Sequence, residues 1–216
     1  MAEFKIVAEE NTHYVEAYLR DETIRAEAGA LAYMRGEIKM RAPIPGPRAL
    51  VRASLSEEAA VRPTYSGTGT VVLQASVGGF YAFEIGDTHW ILERGAYWAS
   101  DASVELSVHR EKILTSFWLG EGLIDYQTKV AGHGKVVLNA DGPVEEIELG
   151  DEEFSVEGRI VIARSSHVRF SVRRPSRSRL SSWLSGETLL RVYKGPGRIL
   201  VSATPYWGKL LATKLL

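Results

Sequence analysis

Cysteine is absent from the 216 residues, and that one absence removes disulfides, thiolate nucleophiles, zinc fingers and iron–sulfur ligation together. Redox chemistry would need a borrowed cofactor, and no motif asks for one. Methionine occurs only three times, and Asn and Gln are confined to Asn11, Gln74, Gln127 and Asn139. Such a chain, poor in thermolabile side chains, leans toward a thermophilic source. Neither charge dominates: 26 Lys plus Arg face 27 Asp plus Glu, a formal net charge of −1. No global field therefore draws the chain to nucleic acid or anionic lipid, and any such binding needs a local patch. No apolar run approaches the roughly 18 residues of a membrane span. The opening Met-Ala-Glu-Phe-Lys-Ile-Val-Ala-Glu-Glu lacks a basic then apolar leader and carries acids that a transit peptide avoids. The expected location is the cytoplasm.

Helical periodicity is scarce too, with short exceptions at residues 48–60, 113–119 and 179–184 and a short amphipathic end at 207–216. What the chain does have is an ordinary globular balance, 45% apolar and 25% charged, with apolar residues in short runs or strict alternation: Val71-Val72-Leu73, Val104/Leu106/Val108, Ile147/Leu149, Val168/Phe170/Val172. Period two, with turns every 8 to 12 residues, predicts an all-β sandwich or barrel.

An internal repeat organises these strands. Gly67-Thr-Gly69-Thr-Val71-Val72-Leu73-Gln-Ala75, Gly132-His-Gly134-Lys-Val136-Val137-Leu138-Asn-Ala140 and Gly195-Pro-Gly197-Arg-Ile199-Leu200-Val201-Ser-Ala203 share one pattern, spaced 65 and 63 residues apart. A second element, Glu27-Ala-Gly29-Ala30, Glu93-Arg-Gly95-Ala96 and Glu157-Gly158, also recurs. The chain reads as one domain of three similar β-units of about 65 residues, covering about 13–60 plus 195–207, then 61–125, then 126–194. In that reading the C-terminal strand at 195–203 pairs beside the N-terminal strand at 14–19, which closes the ring of units and leaves no edge for other chains.

The candidate chemistry is thin. Gly-x-Gly suggests a phosphate loop, but these glycines open strands rather than helices, and Val72, Val137 and Leu200 stand where the dinucleotide fingerprint has its third glycine. Tight turns with positive φ feeding buried strands are the expectation. His13, His89, His109, His133 and His167 are isolated, and only His109 with His167 is placed to meet between units. No nucleophile elbow occurs, and Glu145-Glu146 and Asp151-Glu152-Glu153 read as solvated charge on turns. No catalytic, metal or cofactor residue is assigned. The densest feature is Arg173-Arg174-Pro175-Ser176-Arg177-Ser178-Arg179, followed by Trp183. Guanidinium groups bind phosphates bidentately and an adjacent Trp stacks on a base or a lipid headgroup boundary. The plainer reading is a solvated loop whose arginines pair with acids elsewhere.

Glu-x-Gly-Ala with Tyr33-Met34-x-Gly36, the later Gly-x-Gly-x-apolar strands and Gly120-Glu121-Gly122-Leu123 together resemble the AIM24 family, a domain of unknown function, over roughly residues 13–207. The chain departs from it at residues 43–48, Pro-rich here where the family is Gly-rich. The resemblance implies a fold related to the trp RNA-binding attenuation protein (TRAP-like, of the double-stranded β-helix type), with three β-units about a pseudo-threefold axis, and no established enzymatic activity. Its mitochondrial members are associated with inner-membrane organisation, a role that does not carry over to a chain without a transit peptide. The expectation is a non-catalytic scaffold or interaction protein, monomeric or a symmetric homo-oligomer. A protein, anionic-membrane or nucleic-acid partner would bind through the loop of Arg173, Arg174, Arg177, Arg179 and Trp183. The alternative is a small-ligand binder with pockets between units lined by Trp90, Tyr97, Trp98 and Tyr126.

Overall fold

Alternation and short apolar runs translate directly into strands in the computed structural model, which describes residues 1–10, 12–42, 62–112, 124–173 and 190–203. Sixteen strands and no helix occur among the described residues. The first stretch holds β1 (Glu3–Glu9), β2 (Thr12–Ala26), β3 (Leu31–Arg41) and β4 (Thr64–Ser76). The second holds β5 (Phe80–Ile85), β6 (Trp90–Leu92), β7 (Tyr97–Asp101), β8 (Glu105–Lys112), β9 (Ile124–Ala131) and β10 (Gly134–Asn139). The third holds β11 (Val144–Leu149), β12 (Glu153–Glu157), β13 (Val161–Ser165), β14 (Arg169–Arg173), β15 (Leu190–Lys194) and β16 (Gly197–Ser202). They form a seven-stranded sheet in the order β3-β4-β2-β7-β10-β5 with β1 on β2, a six-stranded sheet β11-β16-β13-β6-β9-β8 and a three-stranded sheet β12-β15-β14. Every pairing is antiparallel.

One pairing plan recurs along the chain. The Gly-x-Gly strand lies between the opening strand of its own stretch and the strand after the Glu-x-Gly turn: β4 between β2 and β3, β10 between β5 and β7, β16 between β11 and β13. A β-bulge recurs in the same place, skipping Ala32, Trp98 and Ile162. The second glycine of each motif explains why the repeat cannot drift. Gly69, Gly134 and Gly197 hold φ of +150°, +143° and +146°, and a Cβ on Gly197 would lie 2.4 Å from Ser165 Oγ, one on Gly69 2.2 Å from the Arg35 carbonyl. Only glycine fits that backbone and that contact.

Two expectations change. The C-terminal strand does not close onto the N-terminal one: β16 pairs with β11 and β13, while the edges of β2 are taken by β1, β4 and β7. The place beside β2 that a Gly-x-Gly strand would fill is already held by β4, the homologous strand of its own stretch, so β16 completes 144–202 instead of the N-terminal unit. Glu145 and Glu146 stand on β11, not on a turn, with Glu146 paired to Arg198 across the strands at 2.8 Å. The helical expectations at 48–60, 113–119, 179–184 and 207–216 lie outside the described residues.

Three apolar clusters anchor the sheets. Val15, Leu19, Ile24, Tyr65 and Leu73 fill the first; Trp90, Leu92, Tyr97, Leu138 and Leu200 the second; Leu149, Val168, Tyr193 and Ile199 the third. Leu200 belongs to the third stretch yet packs with the second. No helix among the described residues is long and apolar enough to cross a membrane.

Candidate functional site

The three stretches meet along two seams of identical register. In the first, β2 pairs with β7 as Ile24↔Asp101, Arg25↔Ser100 and Ala26↔Ala99, and the Glu27 N–H donates to the Trp98 carbonyl at 2.8 Å. In the second, β6 pairs with β13 as Trp90↔Ser165, Ile91↔Arg164 and Leu92↔Ala163, and the Glu93 N–H donates to the Ile162 carbonyl at 2.8 Å. Each seam thus ends on a glutamate followed by the Glu-x-Gly turn, whose glycines adopt φ of +76° to +79°. Backbone pairing fixes where these carboxylates lie.

Guanidinium groups then bridge the seams. Arg62 Nε donates to Glu27 Oε2 at 2.8 Å and its Nη2 to Thr128 Oγ1 at 3.0 Å, with its guanidinium carbon 4.7 Å from the Tyr97 ring centroid. One side chain of the first stretch thereby grips β7 and β9 of the second. At the other seam Glu93, 6% exposed, accepts from Arg191 Nη1 at 3.0 Å and Gln127 Nε2 at 3.2 Å, while Arg159 Nη1 lies 3.5 Å from Oε1. Beside it, buried Arg164 of β13 pairs with Glu111 of β8, donates to the Val168 carbonyl at 2.8 Å and sits 5.7 Å from the Phe170 ring. Glu111 also bonds His109 at 3.1 Å. The same logic, a charge kept inside because several partners satisfy it, accounts for buried Asp101, whose carboxylate accepts the N–H groups of Ala2 and Lys135 at 2.9 and 2.8 Å.

These surroundings displace titrations. Burial pushes the Tyr193 phenol up to about 12, helped by Glu93, and burial does the same for Tyr97, also to about 12. Burial pushes the Arg164 guanidinium below its ordinary value, with Glu111 opposing. Glu111 is itself raised by burial, but His109 and Arg164 together outweigh this and hold its carboxyl below the usual range. A cavity of about 10 Å³ lies among Ile91, Glu93, Gln127, Arg164 and Tyr193. That is room for one water and far below the few hundred Å³ an organic ligand occupies. The arrangement clamps two sheets and leaves room for a water beside Glu93.

The residues singled out in the sequence fall elsewhere. Arg173, at the end of β14, is exposed and donates to Glu153 Oε2 at 3.0 Å and Ser155 Oγ at 3.1 Å, the pairing with acids that the plainer reading anticipates. Arg174, Arg177, Arg179 and Trp183 lie outside the described residues. His109 faces Glu111, whereas His167 is exposed in the turn after β13, and among the described residues no three His, Asp or Glu side chains gather as a metal site. Trp90 and Tyr97 are core residues, and Trp98 packs on Phe80 at 5.5 Å between centroids against a different cluster; the Tyr126 side chain lies outside the described set. These aromatics do not converge on one pocket. Glu93, Arg164 and Arg191 escaped notice in the sequence, although the recurring glutamate before each turn glycine was visible as a motif.

Comparison with known proteins agrees with this architecture. An X-ray crystal structure of a Streptococcus pyogenes protein superposes with a TM-score of 0.75 at 20% identity, covering 100% of this chain and 98% of that one. An uncharacterised protein of Streptococcus pyogenes serotype M6 is 24% identical over 138 residues, 63% of this chain and 55% of the relative. The aligned part thus spans about half the length of that curated relative. The family model described as mitochondrial biogenesis AIM24 matches residues 4–204, and with nearly its whole length inside that match the chain belongs to the AIM24 family.

Proposed function

We propose that this chain is a non-catalytic scaffold or interaction protein of the cytoplasm, built of three similar strand sets joined by a repeated seam. One observation carries the reading: the buried charges, Glu93, Arg164, Arg191 and Asp101, are committed to one another or to backbone groups across the seams, and the cavity beside Glu93 measures about 10 Å³. An active site keeps titratable groups facing a space that a substrate enters. Beside Glu93 that space has the volume of a water.

The test is a thermal-shift screen against amino acids, nucleotides and divalent metals. The scaffold reading expects melting curves unchanged across the panel; a saturable rise with concentration, as linkage requires of a bound ligand, would replace it with the small-ligand reading. A partner engaged through the arginine-rich segment would be a protein, an anionic membrane or a nucleic acid. Replacing Arg173, Arg174, Arg177 and Arg179 by Ser abolishes salt-sensitive binding to RNA or anionic vesicles if the segment is used, and unchanged binding retires it.

A further inference from the structure

The pairing plan leaves two strands, β3 and β12, without the seam partner that their counterparts hold among the described residues. The strand after each Glu-x-Gly turn is covered by the preceding stretch: β7 lies between β10 and β2, and β13 between β16 and β6. Their counterpart β3 pairs, among the described residues, with β4 alone. Conversely, the seam strands β2 and β6 each hold a partner from the following stretch, but their counterpart β12 pairs, among the described residues, with β15 alone. Among the described residues one strand of each kind is left unmatched.

Exposure follows this bookkeeping residue by residue. The bulge aligns Tyr33 with Ala99 and Ala163, and Met34 with Ser100 and Arg164. In the covered strands those positions are at most 5% exposed, yet Tyr33 and Met34 are 57% and 43% exposed. Met40, further along the same face of β3 as Met34, is 47% exposed. On the other side Ser155, aligned with buried Ile91, is exposed. An eleven-residue edge strand with uncovered Tyr and Met is what sheet proteins normally guard with charge or a bulge. The edge of β11 shows that guard in Glu145, Glu146 and Glu148.

We propose that β3 of one copy is covered by β12 of a second copy of this chain, repeating between molecules the seam that joins the stretches within one. The two internal seams dictate its register: Phe154 opposite Arg35, Ser155 opposite Met34, Val156 opposite Tyr33, and the Glu157 N–H donating to the Ala32 carbonyl. A second copy is the occupant because the complement β3 lacks is left over on the same chain, one donor edge and one acceptor edge per molecule. Such a head-to-tail contact builds a closed ring where the rotation closes. It stands whether or not the arginine-rich segment binds anything.

The absence of native cysteine makes the test clean. Met34→Cys and Ser155→Cys are prepared as separate proteins, mixed, and oxidised. Directly opposed antiparallel residues have Cα separations of about 4.5–5.5 Å, within disulfide reach. The expected result is a covalent mixed dimer on a non-reducing gel, with neither protein alone giving more than trace dimer. By light scattering the unmodified protein has a mass of at least two 23.9 kDa chains, and the exposed-site variant Met34→Lys falls to one chain with its melting curve otherwise unchanged. A single-chain mass for the unmodified protein at all concentrations overturns the proposal. So does a Met34→Cys/Ser155→Cys double variant that closes within one chain while the mixed singles give nothing. An oligomer that persists in Met34→Lys without mixed crosslinks places the contact elsewhere and equally overturns it.

Discussion

The Glu93–Arg191 pair offers the sharpest measure of what the seam between β6 and β13 contributes. Both side chains are nearly buried, 6% and 11% exposed, and Glu93 also accepts from Gln127 and faces Arg159. Substituting Glu93→Leu takes the anion away from a guanidinium that solvent reaches poorly. Two unit charges about 4 Å apart at an effective dielectric near 20 interact by about 4 kcal/mol, and losing one member of a buried pair typically costs about 3–5 kcal/mol. At this chain length each kcal/mol shifts the midpoint by about 2–4 °C, so Glu93→Leu lowers Tm by roughly 6–20 °C. Arg191→Met strands Glu93 with Gln127 and the half-exposed Arg159, and costs somewhat less, about 2–4 kcal/mol. The double variant replaces the pair by apolar side chains of similar volume and lies within about 2 kcal/mol of the original protein, because the desolvation cost disappears with the charges. Equilibrium urea unfolding, followed by both tryptophan fluorescence and far-UV circular dichroism to check two-state behaviour, gives the cycle. Single variants below about 1 kcal/mol, or a double variant equal to the sum of the singles within about 0.5 kcal/mol, refute the reasoning. The exposed Arg173–Glu153 pair, at 54% and 43%, is the internal control and contributes about 0–1 kcal/mol.

Three further outcomes follow. Gly197→Ala, forced to place Cβ 2.4 Å from Ser165 Oγ at φ +146°, costs about 2–4 kcal/mol, whereas Gly158→Ala, with open space at φ +74°, costs about 1–2 kcal/mol; thermal melts that rank them the other way contradict the steric account. Two of the nine tyrosines, Tyr97 and Tyr193, are held to about 12 against about 10 in an unfolded chain. Their raised values mean stability that is complete below pH of about 10 and lost as pH rises toward 12; absorbance at 295 nm should show Tyr97→Phe and Tyr193→Phe each removing one late-titrating phenol. Glu111 works in the opposite sense: its lowered folded value gives stability present above about pH 4.3 and lost as pH falls through the folded value. The Tm difference between the original protein and Glu111→Gln therefore shrinks in acid, and a difference that stays constant from neutral pH to pH 3 contradicts the assignment.

Legibility in the sequence tracked how local the determining physics is. The Gly-x-Gly motifs predicted buried strands with positive φ because that requirement sits in three consecutive residues, and Gly69, Gly134 and Gly197 meet it. All-β architecture was equally readable from alternation. Partner choice was not, since strand pairing at a separation of 50 residues leaves no mark in either strand alone: 197–202 is as compatible with β2 as with β11 until β4 is seen occupying β2. The buried charges hid for a related reason. Glu93 and Arg191 are 98 positions apart, and a lone glutamate ahead of a turn glycine looks solvated until the backbone contact to Ile162 pulls it inside. The aromatics misled in the other direction: Trp90 and Tyr97 lie seven residues apart and invite a common pocket, yet both are needed to fill one core.

The Gly-x-Gly strand at the tail does not close the sheet, and β3 keeps one uncovered edge among the described residues. Because each Gly-x-Gly strand returns to its own stretch, strand pairing between stretches is confined, among the described residues, to the short β2–β7 and β6–β13 ladders, three residue pairs each. Ladders that short do not hold sheets together by backbone hydrogen bonds alone, which is why Arg62, Arg191 and Arg164 reinforce them from within. The same weakness makes a third seam of that length, between copies, a contact whose strength depends on what its side chains add. Tyr33, Met34 and Val156 supply apolar cover, but no buried guanidinium stands ready opposite Glu157 as Arg62 and Arg191 stand opposite Glu27 and Glu93 among the described residues. The intermolecular seam is therefore expected to be weaker than the internal ones and to dissociate on dilution before either internal ladder opens.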